Sequence, residues 1–288
     1  MIHKNIKNVI LLSALICLSS ALPVLAEQAK MFADNITFNT KTKLAHAVGN
    51  VVIKRGTGTL WGETADGDIN KSEFYLRGNV RGEFLQHNSK LKAQSVKWKK
   101  SGEGSLVEAF DGVYLEREPS DKLKAQYVKW EPDTENYSAK GNVDGIVSSK
   151  YVLAEEVGRQ EEKFWGNKVK RYEDLIQKTA LAANRVDGII KNNVVQSMIA
   201  LGSVKLDSID NAGLKTIVTG EKLVYQKSLG TIVVTGNPYV TRDDGKNLKA
   251  DKIIVYEQTK NIETIGNSTV VFDLKDNKKP KNTKKSVD

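Results

Sequence analysis

The chain has 288 residues, with 44 Lys and Arg against 35 Asp and Glu, giving a formal charge of +9. With 40% hydrophobic residues it is neither a disordered chain nor a multi-span membrane protein. One Cys and three His argue against a disulfide framework and leave too few ligands for a structural zinc or iron–sulfur site.

Residues 1–26 read as a secretory signal peptide. Lys4 and Lys7 charge its start, and an apolar run follows from Val9 to Leu25. Val24 and Ala26 stand at the small-residue positions before a cut ahead of Glu27. The 17-residue run is short for a bilayer span, which takes about 20 residues, and Pro23 interrupts its end. The competing reading is a retained N-terminal anchor. Cleavage removes Cys17, and +9 less the two lysines leaves a mature charge of +7.

The body of the chain is a repeat. Leu91-Lys92-Ala93-Gln94-Ser95-Val96-Lys97-Trp98 recurs as Leu123-Lys124-Ala125-Gln126-Tyr127-Val128-Lys129-Trp130. Its looser form, apolar-x-small-x-x-apolar, begins also at Met31, Leu60, Val152, Leu181, Val218 and Leu248. A second motif alternates with it: Gly49-Asn50-Val51, Gly78-Asn79-Val80, Asp111-Gly112-Val113, Gly141-Asn142-Val143, Gly166-Asn167, Gly202-Ser203-Val204, Gly236-Asn237 and Gly266-Asn267. Together they make eight copies of a unit of about 30 residues, within the range of known repeat architectures.

Each unit reads as two short strands, about sixteen in all. Val51/Ile53, Val113/Leu115 and Val204/Leu206 alternate with the period of a half-buried strand. Leu91 and Ala93 fall on one face and Val96 and Trp98 on the other, and a β-bulge between the pairs would bring all four to one side. The Gly-Asn pairs suit positive φ at such a kink. Asp243-Asp244-Gly245, Asn70-Lys71, Lys100-Ser101-Gly102 and Pro132-Asp133-Thr134 are turn signals. They favour antiparallel hairpins over a parallel β-helix, whose neighbours need longer crossovers. The charged stretch from Glu155 to Asp174 is expected to be a longer hairpin loop. Residues 273–288 carry six Lys and three Asp and are expected to form a disordered basic tail.

These alternating motifs resemble the OstA-like family, the periplasmic lipopolysaccharide-transport proteins of the LptA type. The resemblance covers Met31 to Phe272. It implies an all-β, open antiparallel β-jelly-roll over residues 27–272, with two tandem copies, 27–147 and 148–272, as the alternative grouping. It implies a periplasmic bridge that carries lipopolysaccharide from inner to outer membrane along an apolar groove, without catalysis. The implied partners are lipopolysaccharide, the inner- and outer-membrane components of that machinery, and further copies joined end to end by edge-strand pairing.

Physical chemistry reaches part of the same place. Each buried methylene gains about 0.8 kcal/mol, so a chain of about ten resists water by about 8 kcal/mol. A curled sheet with one apolar face supplies a dry path. The candidate lipid-binding lining is Val51, Ile53, Val80, Leu91, Ala93, Val113, Leu115, Leu123, Ala125, Val143, Val204, Leu206, Val240, Leu248 and Ala250. Any one of these, taken singly, also reads as packed core. Lys92, Lys97, Lys124 and Lys129 could meet lipid phosphates or form a solvated face that discourages edge aggregation. Two dispersed His remaining after cleavage and the absence of HExxH or GxSxG patterns argue against an enzyme. No cofactor is expected, and nucleic acid is a poor partner for an exported protein. The alternatives are an extracytoplasmic β-repeat adhesion or structural module, and a carbohydrate-binding β-solenoid.

Overall fold

The computed structural model describes residues 28–271, apart from 103, 135, 148, 177, 211, 212 and 260. The expected signal peptide and basic tail lie outside the described residues. All described pairings are antiparallel and belong to a single sheet.

Twelve strands follow one another as a meander, each paired with the next. They are β3 (Leu44–Arg55), β4 (Gly58–Asp68), β5 (Glu73–Phe84), β6 (Ser89–Ser101), β7 (Gly104–Arg117), β8 (Asp121–Glu131), β9 (Asn136–Val147), β10 (Lys150–Gln160), β11 (Lys163–Asp174), β12 (Thr179–Lys191), β13 (Val194–Ile209) and β14 (Lys215–Gln226). The outer rungs are broken in two. They are β1 (Ala29–Phe32) with β2 (Asn35–Asn39), β15 (Thr231–Thr235) with β16 (Tyr239–Arg242), β17 (Asn247–Lys249) with β18 (Lys252–Tyr256), and β19 (Ile262–Ile265) with β20 (Thr269–Val271). Among the described residues twelve whole strands and four broken pairs make sixteen rungs, two for each repeat unit. The expected hairpin turns fall between paired strands: Asn70-Lys71 joins β4 to β5, and Asp243-Asp244-Gly245 joins β16 to β17.

The central strands are not short; they run 11 to 16 residues. The reason is a corner inside each one. Opposite Ala93 and Val96 of β6 stand Val80 and Leu76 of β5. Three steps on β6 therefore face four on β5, and the extra residue is taken up at Gly78 and Asn79, with φ of +85° and +46°. The same mismatch recurs where Ala125 and Val128 of β8 face Val113 and Ala109 of β7, with Asp111 and Gly112 both at positive φ. A three-step interval reverses side-chain parity in a flat strand, and a four-step interval keeps it. The bulge reconciles the two and bends the strand. Leu91, Ala93, Val96 and Trp98 are consequently all buried on one side, as expected from a bulge at this place, with the extra residue carried by the neighbouring strands.

Stacked corners fold the single sheet into two facing layers. Phe84 pairs with Ser89 on β6, nine residues before Trp98. In a flat sheet that separation is about 30 Å. Their rings instead meet edge to face at 5.7 Å, and Phe84 meets Trp130 at 5.2 Å. Each strand thus contributes one half to each layer, and the hairpins lie along the mouth of the resulting V.

The stretch from Glu155 to Asp174 is not a loop. It forms most of β10 and β11, turning tightly at Glu161 and Glu162. Most of its charges are exposed, while Val157, Gly166 and Val169 supply the buried side. β9 and β10 pair from Lys150↔Val147 to Arg159↔Tyr137, with a register shift between Ala154 and Glu156.

Candidate functional site

The interior face is the candidate site, and the corners position it. At each corner the residue after the small one is polar: Asp34, Glu63, Gln94, Gln126, Glu155, Asn184, Glu221 and Asp251. Several of these side chains clasp the neighbouring Gly-Asn pair. Asn50 donates to Asp34 at 3.0 Å, Asn79 to Glu63 at 3.2 Å and Asn267 to Asp251 at 3.1 Å. Asn167 donates to Glu156 at 2.9 Å, which with Lys140 beside it holds the Glu156 carboxyl below its ordinary range. These hydrogen bonds form a polar ridge that ties neighbouring corners together. The motifs quoted above leave this ridge out, although its signal is legible as a fourth-position Asp, Glu, Asn or Gln in all eight copies.

Of the fifteen candidate lining residues, thirteen are buried, and Leu115 and Leu248 are half-buried against the same cluster. All fifteen therefore belong to one apolar interior. The four lysines, Lys92, Lys97, Lys124 and Lys129, lie on the other face, and Lys97 pairs with Glu73 at 2.9 Å.

The interior is not uniform along the roll. In the N-terminal part Ile53, Leu60, Leu76, Val80 and Val96 are at most 1% exposed and fill the space between the layers. Phe84, Trp98 and Trp130 close the mouth there, with His87 against Trp130 at 6.2 Å and 3.5 Å from Asp133. Between β7 and β12 the layers part around a cavity of about 160 Å³. Leu115, Leu123, Val152, Val169 and Tyr172 line it from one layer, and Trp130, Tyr137, Val157, Phe164 and Val186 from the other. Only Leu115 and Leu123 of the candidate lining border it.

Charge gathers at the mouth of this cavity. Arg117 ends β7 and lies 2.8 Å from Asp121 at the start of β8, while Lys150 opens β10, 2.7 Å from Asp174. Arg159 and Asn193 approach from the hairpins of the facing layer. Burial pushes the phenols of Tyr137 and Tyr172 up, so both keep their protons at neutral pH. The cavity is thus apolar within, with two neutral hydroxyls, and charged at its lip.

The ends of the roll differ from its middle. Ile36 and Phe38 pair with the inward Ala47 and Ala45, yet each is 47% exposed, because no further rung among the described residues covers them. At the other end Val270 pairs with Leu248 and is 45% exposed. Among the described residues β1 and β2 pair only with β3, β19 only with β18 and β20 only with β17, so both ends of the described sheet present edge strands.

Among the described residues no helix is long and apolar enough to cross a membrane, and no group of three or more His, Cys, Asp and Glu could hold a metal ion. No family model matches the chain. No curated protein matches it either. Among solved structures the chain is similar to LptH of Pseudomonas aeruginosa, described as the LptA-homologous periplasmic component of the conserved lipopolysaccharide transport device. The identity is 12% and the TM-score 0.33, over 55% of this chain and 97% of that one. The overlap is loose, and the fold described above rests on the strand pairing itself.

Proposed function

We propose that this chain is a periplasmic bridge protein that shields the acyl chains of lipopolysaccharide on their way from inner to outer membrane. The observation that carries the reading is an apolar interior continued from rung to rung and, among the described residues, left uncapped at both ends. Inward residues at the ends, Ile36, Phe38 and Val270, are about half exposed. An isolated globular core has reason to cover such residues; a segment of a longer conduit does not. The motif resemblance to the OstA-like family supports the same role, with the transport machinery of the two membranes as partners and no catalytic step. We take residues 27–272 as one roll of that type, because β9 and β10 pair along their length where a two-part division would cut.

Photo-crosslinking tests the reading. A photoreactive residue at Leu123, beside the cavity, is expected to capture lipopolysaccharide. One at Lys124, the next residue on the outer face, is expected to capture far less. Equal capture at both would reject the interior path. Depletion of the protein should also strand lipopolysaccharide at the inner membrane.

A second reading has one observation behind it. The outer face carries Tyr75, Phe110 and Tyr127 in a row, with the Arg77 guanidinium 4.1 Å from the Tyr75 ring centre. Such a strip suits saccharide or protein binding. Its rings stand at 86° and 48° to one another, so they form no flat platform for a sugar. Interior transport is the better supported function.

A further inference from the structure

We propose that the outer face of β10–β14 carries a binding site for the pyranose rings of an oligosaccharide, with Trp165 as its stacking platform. The site lies on the opposite side of the sheet from the apolar interior and does not depend on the transport reading.

A glycine builds the platform. Phe164 packs against the core and Gly166 is buried, so Trp165 between them points outward. Gly158 is its partner across the ladder and is buried beneath it. A Cβ at Gly158 would strike the six-membered ring of Trp165, nearest Cζ2, with the flanking Cε2 and Cη2 almost as close at 2.5 and 2.6 Å. Only the flat of a ring meets a point so evenly; an edge would hold the flanking atoms well back. The indole therefore lies flat on Gly158 and turns its other face outward. Its N–H bonds to Glu156, which fixes the orientation of the ring. The strip of Tyr75, Phe110 and Tyr127 offers no such face, since its rings stand at 86° and 48° to one another.

Trp165 borders an open groove of about 700 Å³ that runs from Gln160 on β10 to Gln226 on β14. Ligand clefts hold about 300–1,000 Å³. Five strands give the groove a length of about 19 Å, which suits a short oligosaccharide better than a single sugar.

Beside the ring stand groups that bond hydroxyls. Asp187 is the other cross-strand partner of Trp165, and Arg185 is the partner of Asn167. Arg185 grips Asp187 through Nε at 2.6 Å and Nη2 at 2.8 Å, which leaves Nη1 as a donor. Asn167 gives an amide N–H to Glu156 at 2.9 Å and keeps its carboxamide oxygen as an acceptor. A pyranose divides in the same way, with C–H groups on its flat side and hydroxyls around its rim. Laid on Trp165, it covers the apolar ring face and meets planar polar groups edge on. Charge points in the same direction. Asp187 is paired with Arg185 and Glu156 with Lys140, and Lys163 adds one cation at the rim. The groove thus offers directed hydrogen bonds with little net charge, which favours a neutral sugar over an ion.

Such a sugar reaches this face either from a free glycan strand or from the saccharide of a lipid, and the test separates the two. The full chain is titrated with chitohexaose, a free glycan, and with deacylated lipopolysaccharide, while the indole N–H signals of its four tryptophans are followed by NMR. Trp165→Phe assigns the Trp165 signal by removing it. That signal is expected to move with at least one of the two ligands, and the ligand that moves it identifies the source. Trp165→Ala should weaken binding about tenfold or more, the usual loss when a stacking ring is deleted. Gly158→Ala keeps the indole but lifts it off its seat, and should weaken binding too; it is the second variant should the first fail to fold. A Trp165 signal that moves with neither ligand would overturn the site, as would unchanged affinity in both folded variants. Chitohexaose binding that falls steeply with salt would overturn the preference for a neutral sugar. Capture of lipopolysaccharide at Leu123 reads the interior and is untouched by any of these results.

Discussion

Glu63 on β4 reaches the corner of β5, where Asn79 donates to its carboxylate at 3.2 Å while Gly78 passes beneath. A Cβ at Gly78 would stand 2.5 Å from that carboxylate, on a backbone with φ of +85°. Two independent constraints therefore demand glycine there. Gly78→Ala is expected to destabilise the chain by about 1–3 kcal/mol, as strain at positive φ adds to displacement of the clasp. Asn79→Ala should cost about 1 kcal/mol, through the lost hydrogen bond and a left-handed residue that Asn tolerates better. Urea unfolding of the two variants checks the order.

The mouth clasp gives a second measurement. Phe84 packs edge to face on both Trp98 and Trp130 and is 3% exposed. Phe84→Ala should cost about 3–5 kcal/mol, the usual range for deleting a buried ring. Trp98 differs from it in one respect: its buried indole N–H has no hydrogen-bond partner among the described residues. Trp98→Phe removes that unmet donor as it removes volume, so the two effects oppose and the net cost should stay near 1–2 kcal/mol, about half the Phe84 value or less. An equal loss in both variants would mean that the indole N–H contributes to stability after all.

What could be read in the sequence, and what could not, divides along the range of the interactions. Hairpins were legible because Asn70-Lys71 or Asp243-Asp244-Gly245 act within a few residues. The repeat was legible because both motifs recur in strict alternation. Their complementarity was not: the three-step interval of Ala93 and Val96 has meaning only against the four-step interval of Leu76 and Val80 on the neighbouring strand. The charges between Glu155 and Asp174 concealed two strands, since outward charge and inward Val157, Gly166 and Val169 alternate there with a slip at the corner. The cavity was illegible for a deeper reason. Leu115, Val157 and Val186 come from different units and meet only when the layers fold, and the cations at the lip do likewise.

Alkaline titration offers a test of two carboxylate-bonded phenols, Tyr127 on the outer face and Tyr225 packed against the core. The Tyr127 hydroxyl donates to Glu108 at 2.9 Å, and burial together with that carboxylate pushes its pKa to about 12. Tyr225, bonded to Glu257 at 3.2 Å, is also pushed to about 12. The folded chain holds these protons more tightly than the unfolded chain, whose phenols titrate near 10. Their contribution to stability is therefore intact below pH of about 10 and is lost as pH rises toward 12. Phenolate absorbance should lag behind that of the unfolded chain across this window. Tyr127→Phe should weaken the dependence of the unfolding midpoint on pH there, and an unaltered dependence would contradict the assignment.

The open ends lead to the last expectation. Among the described residues β1 and β2 have one unpaired edge each, and the inward Ile36 and Phe38 beside them are 47% exposed. Val270 and the edges of β19 and β20 present the same combination at the opposite end. A second copy placed head to tail would pair these edges and cover these side chains, continuing the ladder instead of closing it. Sedimentation velocity should then show association that grows with concentration. Ile36→Lys with Phe38→Lys puts two charges into the joint and should hold the chain as a monomer, while its thermal midpoint changes little, because both residues are already half in water. A wild-type chain that stays monomeric at high concentration, or a double variant that associates equally well, would place the joint elsewhere.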